Sequence, residues 1–138
     1  EAVRWPCSAL GSCIHRDQLC DPTSGSGSLL LNIGQAVARH MGDPDAIKHY
    51  AQEVMKNTFN LTRMNLVMRG VKADNIVARN GDSLKHDWPI FDEADPENTY
   101  DPLFVDAVVS NPPYSQNWKT EGMDTDPRFT QYGLAPQN

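Results

Sequence analysis

Asn111-Pro112-Pro113-Tyr114 directly follows the apolar run Phe104-Val105-Asp106-Ala107-Val108-Val109-Ser110. Two prolines fix φ and carry no N–H, so carbonyls at this step can turn outward as acceptors. Asn111 adds a side-chain amide oxygen, and Tyr114 adds a stacking face. A side-chain acceptor, a fixed carbonyl and an aromatic ring at one strand end suit the gripping of a planar exocyclic amino group. The same residue types also make ordinary strand-ending turns.

A second group lies far upstream. Asp21-Pro22-Thr23-Ser24-Gly25-Ser26-Gly27-Ser28 runs into Leu29-Leu30-Leu31, a glycine-rich turn opening an apolar helix. Gly25 and Gly27 allow positive φ and close approach of a ligand to the backbone, and the helix start offers free N–H groups. A phosphate-binding P-loop needs Gly-Lys-Ser/Thr, and no lysine is present; a dinucleotide fingerprint needs a third glycine where position 30 is Leu. A loop admitting the methionine part of S-adenosylmethionine (SAM) fits, and on this motif alone a plain Gly/Ser turn fits as well.

Taken together, the two motifs resemble the paired D-P-x-x-G-S-G and N-P-P-Y signature of SAM-dependent N6-adenine DNA methyltransferases. More closely, they resemble the modification subunit of type I restriction-modification systems. Four further stretches carry the resemblance: Tyr50-Ala51-Gln52-Glu53, the run from Asn60 to Val71 (N-L-T-R-M-N-L-V-M-R-G-V), Asn80-Gly81-Asp82-Ser83-Leu84, and Asp126-Pro127-Arg128-Phe129 with Tyr132-Gly133 and Ala135-Pro136. It covers roughly residues 21–138, so these are expected to be a partial SAM-dependent methyltransferase domain. Residues 1–20 are expected to be an atypical segment with a poor first strand. The family sheet has three more strands after N-P-P-Y, so the chain is expected to stop after the fourth.

The resemblance implies transfer of a methyl group from SAM to the N6 amino group of adenine in DNA. Asn111 and the Pro112 carbonyl would accept hydrogen bonds from that nitrogen, localising a lone pair otherwise spread into the ring. Pro113 completes the rigid turn, and Tyr114 would stack on a base flipped out of the duplex. Asp21, Gly25 and Gly27, with Thr23 and Ser26 in the same turn, would frame the methionine moiety. Glu53 would accept from the ribose hydroxyls and Asp82 from the cofactor's adenine amino group. DNA, a second copy of the chain, a specificity subunit and a restriction subunit are the partners implied; no metal is. N-P-P-Y also serves protein N5-glutamine methyltransferases, and a non-catalytic SAM-binding or assembly fragment is a third reading.

The elements that must position these residues alternate. Leu29, Leu30, Ile33, Val37 and Met41 predict a helix over 28–41, ended by Gly42. A short helical start and then a strand ending near Glu53 follow. A second helix spans about 56–69, with Phe59, Met64, Val67 and Met68 as its core face. Residues 75–79 form a short strand, 84–103 a long acidic loop, and 104–109 the best strand of the chain. This order predicts an α/β fold, part of a Rossmann-like methyltransferase with a mostly parallel sheet. Ligands of such sheets sit beyond the strands' carboxyl ends, and the Asp21 loop, Glu53, Asp82 and Asn111 all follow strands.

The 138 residues make at most one modest domain, and a net charge of −6 from 12 basic and 18 acidic residues gives no basic stripe for DNA. Phosphate contacts are therefore expected from other segments or subunits. No stretch reaches membrane-spanning length and no signal peptide opens the chain, so a cytoplasmic protein is expected. Cys7, Cys13 and Cys20 match no zinc spacing and are expected to be reduced thiols. His40, His49 and His86 are expected at the surface.

Overall fold

The computed structural model describes residues 17–43, 45–85, 105–114, 119–124, 129 and 133–134. The first strand, β1, is Asp17–Asp21; helix α1 is Ser28–Met41; β2 is Ile47–Glu53; helix α2 is Lys56–Met68; a 3-10 turn covers Ala73–Asn75; β3 is Ile76–Asn80; and β4 is Ala107–Val108. The strands form one parallel sheet in the order β3-β2-β1-β4.

β1 corrects the sequence expectation. Asp17-Gln18-Leu19-Cys20-Asp21 has little apolar character, yet it pairs with β2 along its whole length, Asp17 opposite Ile47 through Asp21 opposite Ala51. Its last three residues are buried, Asp21 among them. Its polar ends are tolerated because Asp17 and Gln18 are only half-buried and the buried Asp21 carboxylate accepts from the Thr23 N–H. β2 is the most enclosed strand and lies between β1 and β3. The best-looking strand is the shortest: only Ala107 and Val108 pair with β1, opposite Leu19 and Cys20, and both are exposed. Phe104 and most of the acidic loop lie outside the described residues.

The core is Leu19, Leu30, Leu31, Ile47, Ala51 and Leu66, joined by half-buried Ile33, Val37 and Ala38. Burying each large aliphatic side chain contributes about 1.5–3 kcal/mol. α1 begins and ends as expected, with Gly42 in the left-handed conformation closing it through its N–H to Ala38. Its buried face is Leu30, Leu31 and Gly34, while Leu29 and Met41 face outward. The stripe expected of α2 is overturned: Met64, Val67 and Met68 are 53%, 59% and 75% exposed, and the helix buries Thr62 and Leu66 instead. A buried face that carries a threonine has no apolar periodicity to announce it.

His49 also departs from expectation. It is 4% exposed, on β2, against α1 at Gly34, where a Cβ would come within 2.4 Å of the imidazole Nε2. Gly34 is a glycine because the imidazole occupies that space. Burial lowers the His49 pKa, and Nδ1 finds no hydrogen-bond partner among the described residues. His40 is exposed, as expected, and Cys20 is a buried free thiol raised to about 11 by burial and then by the charge of Asp21. Cys7, Cys13 and His86 lie outside the described residues.

Two outcomes follow. Gly34→Ala should destabilise the protein by about 1–3 kcal/mol through overpacking, read as a fall in the urea midpoint; combining it with His49→Ala should recover part of that loss. The unfolded chain binds a proton at His49 near pH 6.5, and the folded chain does so only at lower pH. The stability His49 contributes is therefore complete above about pH 6.5 and declines as pH falls below it. Urea titrations between pH 7.5 and 5 should show this slope, and His49→Leu should flatten it.

Candidate active site

The carboxyl ends of the parallel strands open onto one cleft of about 960 Å³. Thr23 and Gly25 line it from the turn after β1, Glu53, Val54 and Met55 from the exit of β2, residues 81–84 from beyond β3, and residues 110–114 from beyond β4. The predicted residues thus converge on one face because the sheet is parallel. Asn111, Pro112, Pro113 and Tyr114 are all exposed on its rim, Tyr114 at 92%. Asp21, Ser26 and Gly27 stand behind the cleft wall rather than in it.

The turn after β1 is held from several sides. Asp21 ends β1 nearly fully buried, and its Oδ1 accepts from the Thr23 N–H at 3.0 Å, a local turn that folds residue 23 back toward the sheet. Burial raises the Asp21 pKa; the Thr23 hydrogen bonds oppose this and the Glu53 charge adds to it. The Thr23 and Ser110 hydroxyls meet at 2.8 Å, joining the turn after β1 to the segment beyond β4. The Ser83 hydroxyl donates to the Pro22 carbonyl and ties in the segment beyond β3.

Gly25 and Gly27 have φ of +54° and +79°, but for different reasons. A Cβ on Gly25 would meet nothing nearer than the Thr23 carbonyl at 4.0 Å, whereas one on Gly27 would stand 3.1 Å from the Thr62 Cγ2 on α2. Gly25 keeps the cleft wall bare; Gly27 lets the turn seat against α2.

Glu53 is the best-connected carboxylate of the site. Its Oε2 accepts from the Gly25 N–H at 3.0 Å and its Oε1 from the Met55 N–H at 2.9 Å. A carboxylate offers about four acceptor positions, so each oxygen keeps capacity for a donor in the cleft. Asn80 Nδ2 donates to the Glu53 and Val54 carbonyls at 2.7 and 3.0 Å, fixing the strand exit. Asp82, two residues past β3, accepts from the Leu84 N–H at 3.0 Å. The cleft therefore combines carboxylate acceptors with the apolar wall of Val54 and Met55, a donor set suited to a polar organic ligand. Among the described residues no cluster could hold a metal ion.

Sequence reasoning missed Val54, Met55, Ser83 and Ser110 as lining residues, and Thr62, Asn65 and Asn80 as supports. The signal was in part present: Thr62, Asn65 and Asn80 lie inside stretches that carry the resemblance, without a role of their own.

Paired substitutions separate the two glycines. Gly27→Ala should cost at least about 1–2 kcal/mol, the left-handed penalty of an L residue plus the clash with Thr62, and should lower the melting temperature. Gly25→Ala should cost less, since space is open, yet crowd the cleft. Calorimetry and urea unfolding on both variants check this ordering.

The N-6 DNA Methylase family model matches residues 10–138, a span that includes β1. The type I restriction enzyme MpnII methylase subunit of Mycoplasma pneumoniae is 33% identical over 127 residues, covering 88% of this chain and 22% of that protein. The HindI methylase subunit of Haemophilus influenzae is 27% identical, over 85% of this chain and 24% of that one. A crystal structure of a type I restriction-modification methyltransferase subunit from Streptococcus thermophilus superposes with a TM-score of 0.72 at 39% identity, over 89% of this chain and 24% of that one. The chain thus spans about a quarter of the length of the relatives it matches. Signature motifs at the ends of a parallel sheet, the family match over nearly the whole sequence and the common fold agree: the chain belongs to the N-6 DNA methylase family.

Proposed function

We propose that this chain is the part of a type I modification subunit that binds SAM and presents N-P-P-Y to a flipped adenine, for methylation at N6. The observation that carries the reading is the convergence of Gly25, Glu53, Asp82 and Asn111-Pro112-Pro113-Tyr114 on one cleft. In this reading residues 21–138 carry the site residues, and residues 17–20 of β1 support them from within the sheet.

The cleft fits the methyl donor. Gly25 leaves its wall bare, Glu53 retains acceptor capacity toward hydroxyls, and Asp82 lines the same cleft as an acceptor for an amino group. Thr23 and Gly25 would border the methionine part directly, with Asp21, Ser26 and Gly27 shaping the turn behind them. Bound there, SAM would supply an electrophilic methyl group.

Asn111 and the Pro112 carbonyl would accept from the two N–H bonds of the target amine and localise its lone pair. No base is needed before attack. Pro113 stiffens the turn, and the exposed Tyr114 ring would receive the flipped base. Holding two reactants in line can supply roughly 7–11 kcal/mol. With a net charge of −6, the phosphate contacts would come from the specificity subunit and from segments beyond this chain. A second copy and a restriction subunit complete the assembly. Among the described residues no helix is long and apolar enough to cross a membrane, and we place the protein in the cytoplasm. The relatives reported above are named methylase or methyltransferase subunits of type I restriction systems, which supports DNA over a protein-glutamine substrate.

Asn111→Ala should lower methyl transfer to adenine-containing duplex by about 10²–10³-fold, the usual loss for one oriented polar group, and leave SAM affinity within about twofold. Transfer of labelled methyl from SAM, with release-factor protein as the competing substrate, checks both parts. Unchanged transfer by Asn111→Ala, or preference for the protein, would sink the reading.

A further inference from the structure

Several polar groups that shape the cofactor side of the cleft do not line it. Thr62 is fully buried on α2, and its hydroxyl donates to the Gly25 carbonyl. The hydroxyl of Ser24, a buried residue, stands 3.4 Å from the Thr62 hydroxyl. One turn further along α2, Asn65 Nδ2 donates to the Ser26 carbonyl at 2.9 Å. Residues three apart share a helix face, so α2 grips successive segments of the turn with two matched side chains.

The opposite polarity of the turn faces β2. The Ser24 N–H donates to the Gln52 carbonyl at 2.9 Å and the Gly25 N–H to Glu53 Oε2 at 3.0 Å. The Ser24 and Gly25 amides are thus claimed by the strand exit and the Gly25 and Ser26 carbonyls by α2, while the Gly27 N–H closes the turn on the Ser24 carbonyl at 2.7 Å; together these fix the rotation of the peptide planes around Gly25. Helix and strand exit are themselves coupled, because Met55 donates its N–H to Glu53 Oε1 and accepts from the Phe59 N–H at 2.8 Å.

We propose that Thr62 and Asn65 are positioning residues for the methyl donor: they set the pitch of residues 24–27 and thereby aim the bare wall at Gly25, without touching the ligand. This rests on the reading of the cleft as a SAM site. It gives the N-L-T-R-M-N stretch of α2 a function that its exposed methionines do not.

The test uses three variants of the purified protein, Thr62→Val, Thr62→Ser and Asn65→Ala, in amide hydrogen exchange, SAM calorimetry and steady-state methyl transfer to duplex DNA. Thr62→Val and Asn65→Ala should speed exchange at Gly25 and Gly27 and raise the SAM Kd and KM by roughly five- to tenfold, the equivalent of one neutral hydrogen bond. The KM for DNA, and kcat at saturating SAM, should stay within about twofold. Thr62→Ser, which keeps the hydroxyl, should restore the SAM affinity. A purely structural role would lower the active fraction alike for both substrates and leave the SAM KM in place; that result, or faster exchange with unchanged SAM affinity, overturns the proposal. Failure of the unsubstituted protein to bind SAM overturns the reading of the cleft itself, and this proposal falls with it.

Discussion

The active end of this molecule depends on a single residue at the end of β2. Glu53 accepts from the Gly25 and Met55 N–H groups through its carboxylate and from the Gly81 N–H and Asn80 side chain through its carbonyl. The exits of β1, β2 and β3 are all tied to it. Loops rarely lie this close without such a tie, because ordering each residue costs about 1–2 kcal/mol in backbone entropy. A charged acceptor is suited to the work, since hydrogen bonds to ionised groups are roughly twice as strong as neutral ones. Glu53 is thus a structural clasp and, in the reading given above, a ligand contact, and the same lone-pair count allows both.

The α/β class, the parallel sheet and the gathering of candidate residues at the strands' carboxyl ends were legible in the sequence. Helix periodicity, the glycines that end α1 and open it, and chemistry-bearing residues behind each strand sufficed for these. Three features were not. β1 was hidden because its ends are polar: Asp17 and Gln18 are half-buried, Gln18 donates its N–H to the Asp106 carboxylate at 2.7 Å, and the buried Asp21 accepts from the Thr23 N–H. His49 was hidden because nothing local shows that Gly34 on another element leaves room for an imidazole. The buried face of α2 was hidden because Thr62 and Asn65 are chosen for hydrogen bonds to a distant turn, which no helical periodicity encodes.

The exposed Met64, Val67 and Met68 of α2 belong with that last point. A helix usually turns its most apolar stripe inward. Here the inward positions next to the glycine turn are polar, and the stripe is displaced outward. The polar contacts of α2 are specific in direction where an apolar face would be indifferent to small rotations, so hydrogen bonds set the register of the helix while Leu66 anchors it in the core.

Among the described residues, β4 differs from its neighbours in how little holds it. Two residues pair with β1, flanked by hydrogen bonds from Asp106 to Gln18 at 2.9 Å and from Val109 to the Cys20 carbonyl at 2.8 Å, and Val108 is 63% exposed. β1 and β2, by contrast, share a full five-residue ladder. Free energies of local opening follow such differences in contact and exposure. Among the described residues, the half of the cleft that carries Asn111 and Tyr114 is thus held by fewer ties than the half built on Glu53, a yielding jaw against a stiff anvil. Damage to β4 should consequently fray the jaw while the anvil keeps its shape.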